Sequence, residues 1–229
     1  MNVLIIGAHP DDELLGIGGT IARHVKNGDN VFVYLLTDGH TSRYRDNEKI
    51  AERTPEVVAR IESAKKAAEF LKIKELGFAP FHDQRLDTVP MIELVQDIEK
   101  YASHINPDIV YTHHRGDVNR DHQVTFSACL TSFRSTGKHY PKRLLCYETV
   151  SSTEWGGPFA ENYFMPNVFI DISEFLETKM QALDLYRQEM RDFPHPRSME
   201  GLRVSAKRWG GVIGAEAAEA FVLVREVIM

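Results

Sequence analysis

The chain has 229 residues, 43% of them hydrophobic and 26% charged, with a formal net charge of −6. That length suits one α/β domain able to bury about 70% of its unfolded surface, and the ordinary composition excludes a fibrous or disordered chain. An acidic balance without a basic cluster argues against nucleic acid or an anionic membrane as partner, and the longest apolar runs fall far short of the roughly 20 residues of a membrane span. We expect a single domain over residues 1–229, with no membrane insertion. The opening residues carry no secretory leader pattern, so the cytoplasm is the expected compartment. Cys129 and Cys146 lack the spacing of a thiolate metal site or a disulfide framework and are expected as small buried hydrophobes.

Taken in chain order, residues 3–6 are an apolar run too short for a helix, as are 31–36, 109–111, 144–147 and 168–172, and each is expected as a strand. Between the first two, Leu14, Ile17, Gly18, Ile21 and Val25 share one helical face that ends at Asn27-Gly28. Helical spacing recurs at Val57, Val58, Ile61, Ala64, Ala68 and Leu71, and again at Ile92, Val95, Ile98 and Ala102. Each of these precedes a short apolar strand. The alternation predicts a Rossmann-like α/β fold, a mostly parallel sheet with helices on both faces. Residues 151–166, with Trp155-Gly156-Gly157-Pro158, are expected as a long ordered loop over one end of the sheet. A helix over 173–191, another from Gly201 and a last apolar stretch over 221–227 complete the chain.

Chemistry gathers at two places. His9, Asp11, Asp12 and Glu13 follow the first strand within five positions, where an open α/β sheet binds its ligands. Three adjacent carboxylates repel one another and cost desolvation energy unless a cation sits among them. Helix capping accounts for one or two of these acids but not for His9 beside them. Gly16, Gly18 and Gly19 hint at a dinucleotide loop. That fingerprint, however, places its glycines directly between strand and helix, and carboxylates there would repel a pyrophosphate. Close packing of the helix on the sheet is the expected role of these glycines. The second place is Thr112 to Gln123, "THHRGDVNRDHQ", which emerges from the 109–111 strand at the same sheet edge. Imidazole and carboxylate are the ligands of a catalytic zinc, which takes three from the protein and keeps one position open. His9, one of the acids and one of these histidines would suffice.

These segments resemble the LmbE-like, or PIG-L-like, family of zinc-dependent N-deacetylases. The motifs are Ala8-His9-Pro10-Asp11-Asp12-Glu13 and the Asp121-His122 pair, supported by Arg60 with Glu62, by Asp83-Gln84-Arg85-Leu86, and by Asp171-Ile172-Ser173 with Glu177-Thr178-Lys179. The resemblance implies one zinc per chain held by His9, Asp12 and His122, with Asp11 as general base and Arg60 holding the substrate, an N-acetylated amino sugar or its conjugate. Many members carry a histidine where this chain has Asn119. An amide can donate a hydrogen bond to an oxyanion but cannot deliver a proton, so the acid must come from elsewhere. Asp11 returning its proton, His113, His114 and His195 are the candidates.

Asp117 and Asp121 are expected as orienters, with Asp11, Asn119 and Asp121 making up the catalytic set and Glu13 supporting it or capping the helix. Arg60, Arg85, His114 and His195 are expected on the substrate side. His24 is expected in solvent, His40 in the pocket wall, and Trp155 and Tyr163 as packing residues or a sugar-stacking face. The expected activity is removal of an N-acetyl group from a GlcNAc-type sugar or conjugate. A homo-oligomer is left open. Two rivals stand beside this expectation: a nucleotide-dependent Rossmann-like enzyme using the glycines, and a non-catalytic metal-binding module.

Overall fold

A computed structural model describes residues 1–43, 54–135 and 140–228. Seven strands form one sheet in the order β3-β2-β1-β4-β5-β7-β6. They are β1 (Asn2–Gly7), β2 (Asn30–Thr37), β3 (Glu75–Phe81), β4 (Ile109–His113), β5 (Arg143–Tyr147), β6 (Val168–Asp171) and β7 (Ala218–Glu226). The first five are mutually parallel, and β7 runs antiparallel to both of its neighbours. β1 alternates its side chains between two cores, as the period of two requires. Val3 and Ile5 face a core with Leu14, Ile21, Ala64, Met180 and Leu202, whereas Leu4 and Ile6 face Leu94, Ile98, Ala128 and Cys129. Both faces are therefore covered by helices: α1 (Asp12–Lys26), α2 (Pro55–Phe70), α5 (Leu176–Asp184) and α6 (Met199–Ile213) on one, α3 (Met91–Ser103) and α4 (Arg120–Ser132) on the other. No helix among the described residues is long and apolar enough to cross a membrane. Cys129 and Cys146 are free and buried, and burial pushes the Cys129 thiol up to about 12.

Chain connections leave β1 and β4 in opposite directions, so the crevice beyond their carboxyl ends is the switch point at which such sheets bind ligands. The acidic knot follows β1 and the histidine-rich segment follows β4. The glycines of the first helix lie inside α1 rather than in a loop. A Cβ on Gly16 would stand 2.3 Å from the Tyr147 ring, and one on Gly19 2.7 Å from Ile172, so these positions are packing contacts and a nucleotide loop is ruled out there.

Three expectations change. The 173–191 helix is broken into a 3₁₀ turn at Ser173–Phe175, α5, and a 3₁₀ turn at Arg187–Glu189. The break turns Tyr186 toward Glu13 and Glu189 toward Arg60. The 221–227 stretch begins earlier, as β7. His24 is not in solvent: Nδ1 lies 2.8 Å from Asp29 Oδ2 and Nε2 3.1 Å from Tyr111 Oη, because the end of α1 leans over Tyr111.

Candidate metal and active site

β1 ends at Gly7 and the chain turns sharply into α1 through Asp11, whose φ of 117° is rare for a residue with a Cβ. This turn aims Asp12 inward and Asp11 sideways. On the opposite side of the crevice, Asn119 caps α4 by accepting from Asp121 N–H at 2.9 Å, which sets Asp121 and His122 in the helix's first turn.

Three donors converge there. His9 Nδ1 lies 3.1 Å from Asp12 Oδ2, His122 Nε2 lies 3.3 Å from the same oxygen, and the two nitrogens are 3.3 Å apart. Three ligands at 2.0–2.1 Å on a tetrahedral ion stand about 3.3–3.4 Å from one another, so the triangle fits zinc. Each imidazole is also held by its second nitrogen. His9 Nε2 is 3.0 Å from Asp83 Oδ1 and 3.2 Å from Asp121 Oδ2, and His122 Nδ1 is 3.1 Å from Asp117 Oδ2. Such carboxylate partners fix ring orientation in metal sites. All these groups are buried.

The electrostatics agree. Burial drives Asp12 up, but the pull of His122, His113 and His9 outweighs it and leaves the carboxyl well below its usual range. Burial lowers His122, yet Asp12 and Asp117 raise it to about 9, and His9 is likewise raised well above normal by Asp12, Asp121 and Asp83. The carboxylates around the two imidazoles favour positive charge at this point, which a divalent cation on the same donors would supply.

Asp11 belongs to a separate network. Arg60 Nη2 is 3.0 Å and Arg197 Nη1 3.1 Å from its Oδ2. Burial raises its pKa, the two arginines partly offset that, and Asp12 and Glu189 add to it. Arg60 also donates to Pro10 O at 2.9 Å and pairs with Glu189, which Arg43 contacts from the other side at 3.1 Å. Glu13 accepts from Asp11 N–H and from Tyr186 Oη, and burial raises it to about 7.

The cleft wall includes His9, Asp11, Asp12, Arg43, Arg60, Asp83, Asn119, His122, Ser151, Ser152, Glu189 and Arg197. Arg60, expected to hold substrate, spends its guanidinium on Asp11, Pro10 and Glu189. His114 is turned away, its Nε2 3.1 Å from Asn162 O, where it pins the 151–166 segment. His195 Nδ1 accepts from Arg197 N–H, and His195 and Arg85 are not part of the wall. His113 cannot serve as the acid: Nε2 accepts from Ala8 N–H at 2.9 Å, and burial beside His122 lowers it to about 4. Asp121 accepts from Gln84 and Leu86 N–H as well as facing His9, so it orients a ring and a loop and does not reach into the cleft. Sequence reasoning gave Arg43, Glu189 and Arg197 no role. Only the proline-flanked "FPHPRS" around Arg197 was a signal.

Residues 4–133, more than half of the chain, match the family described as "PIG-L: GlcNAc-PI de-N-acetylase". The fold and site are accordingly those of a metal-dependent N-deacetylase, a hydrolase of amide C–N bonds. The chain belongs to the PIG-L family. It is 28% identical over 221 residues to the "Diacetylchitobiose deacetylase" of Thermococcus kodakarensis, covering 95% of this chain and 80% of the relative. It is 27% identical over 193 residues to "Probable N-acetyl-alpha-D-glucosaminyl L-malate deacetylase 2" of Bacillus anthracis, covering 82% of this chain and 81% of the relative. The N,N'-diacetylchitobiose deacetylase structure from Pyrococcus horikoshii shares the fold, with a TM-score of 0.77 at 23% identity, covering 97% of this chain and 83% of that one.

Proposed function

We propose that this protein removes the acetyl group from an N-acetylated amino sugar of GlcNAc type, free or in a conjugate, using one zinc ion held by His9, Asp12 and His122. The observation that carries this reading is the triangle of buried donors, each imidazole backed by a carboxylate, beside an aspartate that is not one of the three. The named activities of the sugar-deacetylase relatives support the substrate class.

Zinc held by His9, Asp12 and His122 would supply Lewis-acid polarisation of the amide carbonyl and would lower the proton affinity of an attacking water. Asp11 takes the proton from that water as its oxygen adds to the carbonyl carbon, a role typically worth about 10²–10⁴ in rate. The raised pKa of Asp11 suits it to hold the proton and return it to the nitrogen as the C–N bond breaks, giving acetate and a free amine. Asn119 Oδ1 is occupied by Asp121 N–H, which leaves Nδ2 as the donor end for the developing oxyanion. Asp83 and Asp121 hold His9, Asp117 holds His122, and Arg60 holds Asp11. With His113 locked and His114 and His195 turned to the loops, Asp11 is the acid as well as the base.

Metal content by mass spectrometry, on protein purified without a metal-binding tag, tests the site. One zinc per wild-type chain, lost in Asp12→Ala, is expected. Amine release from N-acetylglucosamine and its conjugates should then appear in the wild type and fall by at least about 10²-fold in Asp11→Asn. Full zinc with no turnover on any N-acetyl substrate would leave a metal-binding module without catalysis.

A further inference from the structure

Both arginine contacts to Asp11 fall on the same carboxylate oxygen, Oδ2. Oδ1 takes neither arginine contact. The two arginines differ in what else they hold. Arg60 is buried and bonded to Pro10 O and Glu189, within the wall it belongs to. Arg197 comes from 186 residues further along the chain, and its Nε donates to Ser151 Oγ at 3.0 Å. One planar guanidinium therefore joins Asp11 to the first residue of the 151–166 segment. The next residue in that segment, Ser152, donates to Asp117, which holds His122. The loop carrying Arg197 is itself anchored, with Arg197 N–H on His195 Nδ1 and Arg197 O accepting from Arg191 N–H.

Asp11 also stands at φ 117°, a conformation that persists only where its surroundings over-determine it. Resting on the deacetylase reading above, we propose that Arg197 is a positioning residue: it fixes the rotation of the Asp11 carboxylate, and so the direction of Oδ1, while tying Asp11 to Ser151. The tie depends on a fork that engages two partners at once in fixed geometry. A lysine ammonium is a point charge on a flexible stem and does not reproduce it.

The test compares Arg197→Ala, Arg197→Lys, Ser151→Ala and Asp11→Asn for kcat, KM and zinc content on the substrate that shows amine release. Arg197→Ala should keep its zinc and nearly unchanged KM and lose about 10²-fold in kcat, the scale of a misplaced catalytic group. Arg197→Lys should recover little of that loss, Ser151→Ala should lose less, and added ethylguanidinium should restore part of the kcat of Arg197→Ala. A rise in KM at constant kcat would make Arg197 a substrate contact and overturn the inference. So would wild-type kcat in Arg197→Ala, loss of its zinc, or no rescue by ethylguanidinium. Asp11→Asn separates the two levels. If it keeps wild-type kcat, the role assigned to Asp11 fails; if it is inactive while Arg197→Ala is not, only the role of Arg197 fails.

Discussion

Asp117 shows how a residue outside the ligand set shapes the site. Its Oδ2 lies 3.1 Å from His122 Nδ1, and it accepts from the Ser152 and Thr153 hydroxyls. Burial would raise the carboxyl, but His122 and then the Ser152 hydroxyl hold it below its usual range, and the pairing leaves His122 Nε2 for the proposed ion. Replacing such a partner typically costs about 10–100-fold in metal affinity. Asp117→Asn should show that loss in a chelator competition titration, with its fold intact by circular dichroism. Unchanged affinity would mean that His122 is oriented by packing against His113 alone, whose ring stacks on it at 3.8 Å. Asp117 was legible beforehand as an orienter because it lies in the histidine-rich segment. Glu189 was not, because it sits in an unremarkable "RQEM" and acquires its role only by meeting Arg60 and Arg43 across the cleft.

At the scale of the element, α1 is the helix on which the site depends, and it is not regular. Ile17 leaves helical geometry at φ −137°, ψ 21°, which interrupts the ladder and exposes backbone groups in the middle of a buried helix. Glu219 from β7 accepts from Gly19 N–H at 3.0 Å and Thr20 N–H at 2.7 Å, and Lys179 from α5 donates to Leu15 O at 3.0 Å and to Glu219 at 2.6 Å. A buried ion pair thus closes both sides of the kink. Removing one member strands the other charge, at about 3–5 kcal/mol. Lys179→Met should lower the urea unfolding free energy by that order. A double variant with Glu219→Gln should recover part of it, because the amide can still accept one of the backbone bonds. A loss below about 1 kcal/mol in Lys179→Met would mean that water takes over the ammonium's contacts. The apolar face of α1 was readable from its spacing. The kink was not, since the groups that close it, Glu219 and Lys179, come from distant elements, as do Tyr147 and Ile172, which pack on Gly16 and Gly19.

For the whole molecule, an ion at the proposed metal site would act as a cross-link. His9 and Asp12 follow β1 and His122 follows β4, so the donors come from two segments far apart in the chain that meet beyond the paired ends of β1 and β4. An ion that binds the folded arrangement stabilises it by mass action, about 2.7 kcal/mol at a hundredfold excess over its dissociation constant. Zinc should therefore raise the melting temperature of the wild type and leave that of Asp12→Ala unmoved. The pH dependence has a definite sign. In the metal-free protein His122 holds its proton up to about 9 and His9 is raised too, whereas a metal needs both neutral. Binding must release protons at pH 7, and the stabilisation should shrink as the pH falls further below 9. A zinc-induced shift that grows on acidification would count against these two histidines as ligands.

Much of this was determined locally. The five apolar runs, their alternation with helical spacing, the placing of His9 to Glu13 after the first strand, and the clustering of His113 to His122 all follow from residues a few positions apart, and periodicity records which way each faces. Tertiary structure alone decided how the charges pair. Whether Arg60 meets Asp11, what holds His113, and which distant arginine reaches Asp11 depend on groups brought together from as far as 186 residues apart. Burial in the crevice then makes those pairings strong enough to move His9, Asp11, Asp12 and His122 away from their ordinary values.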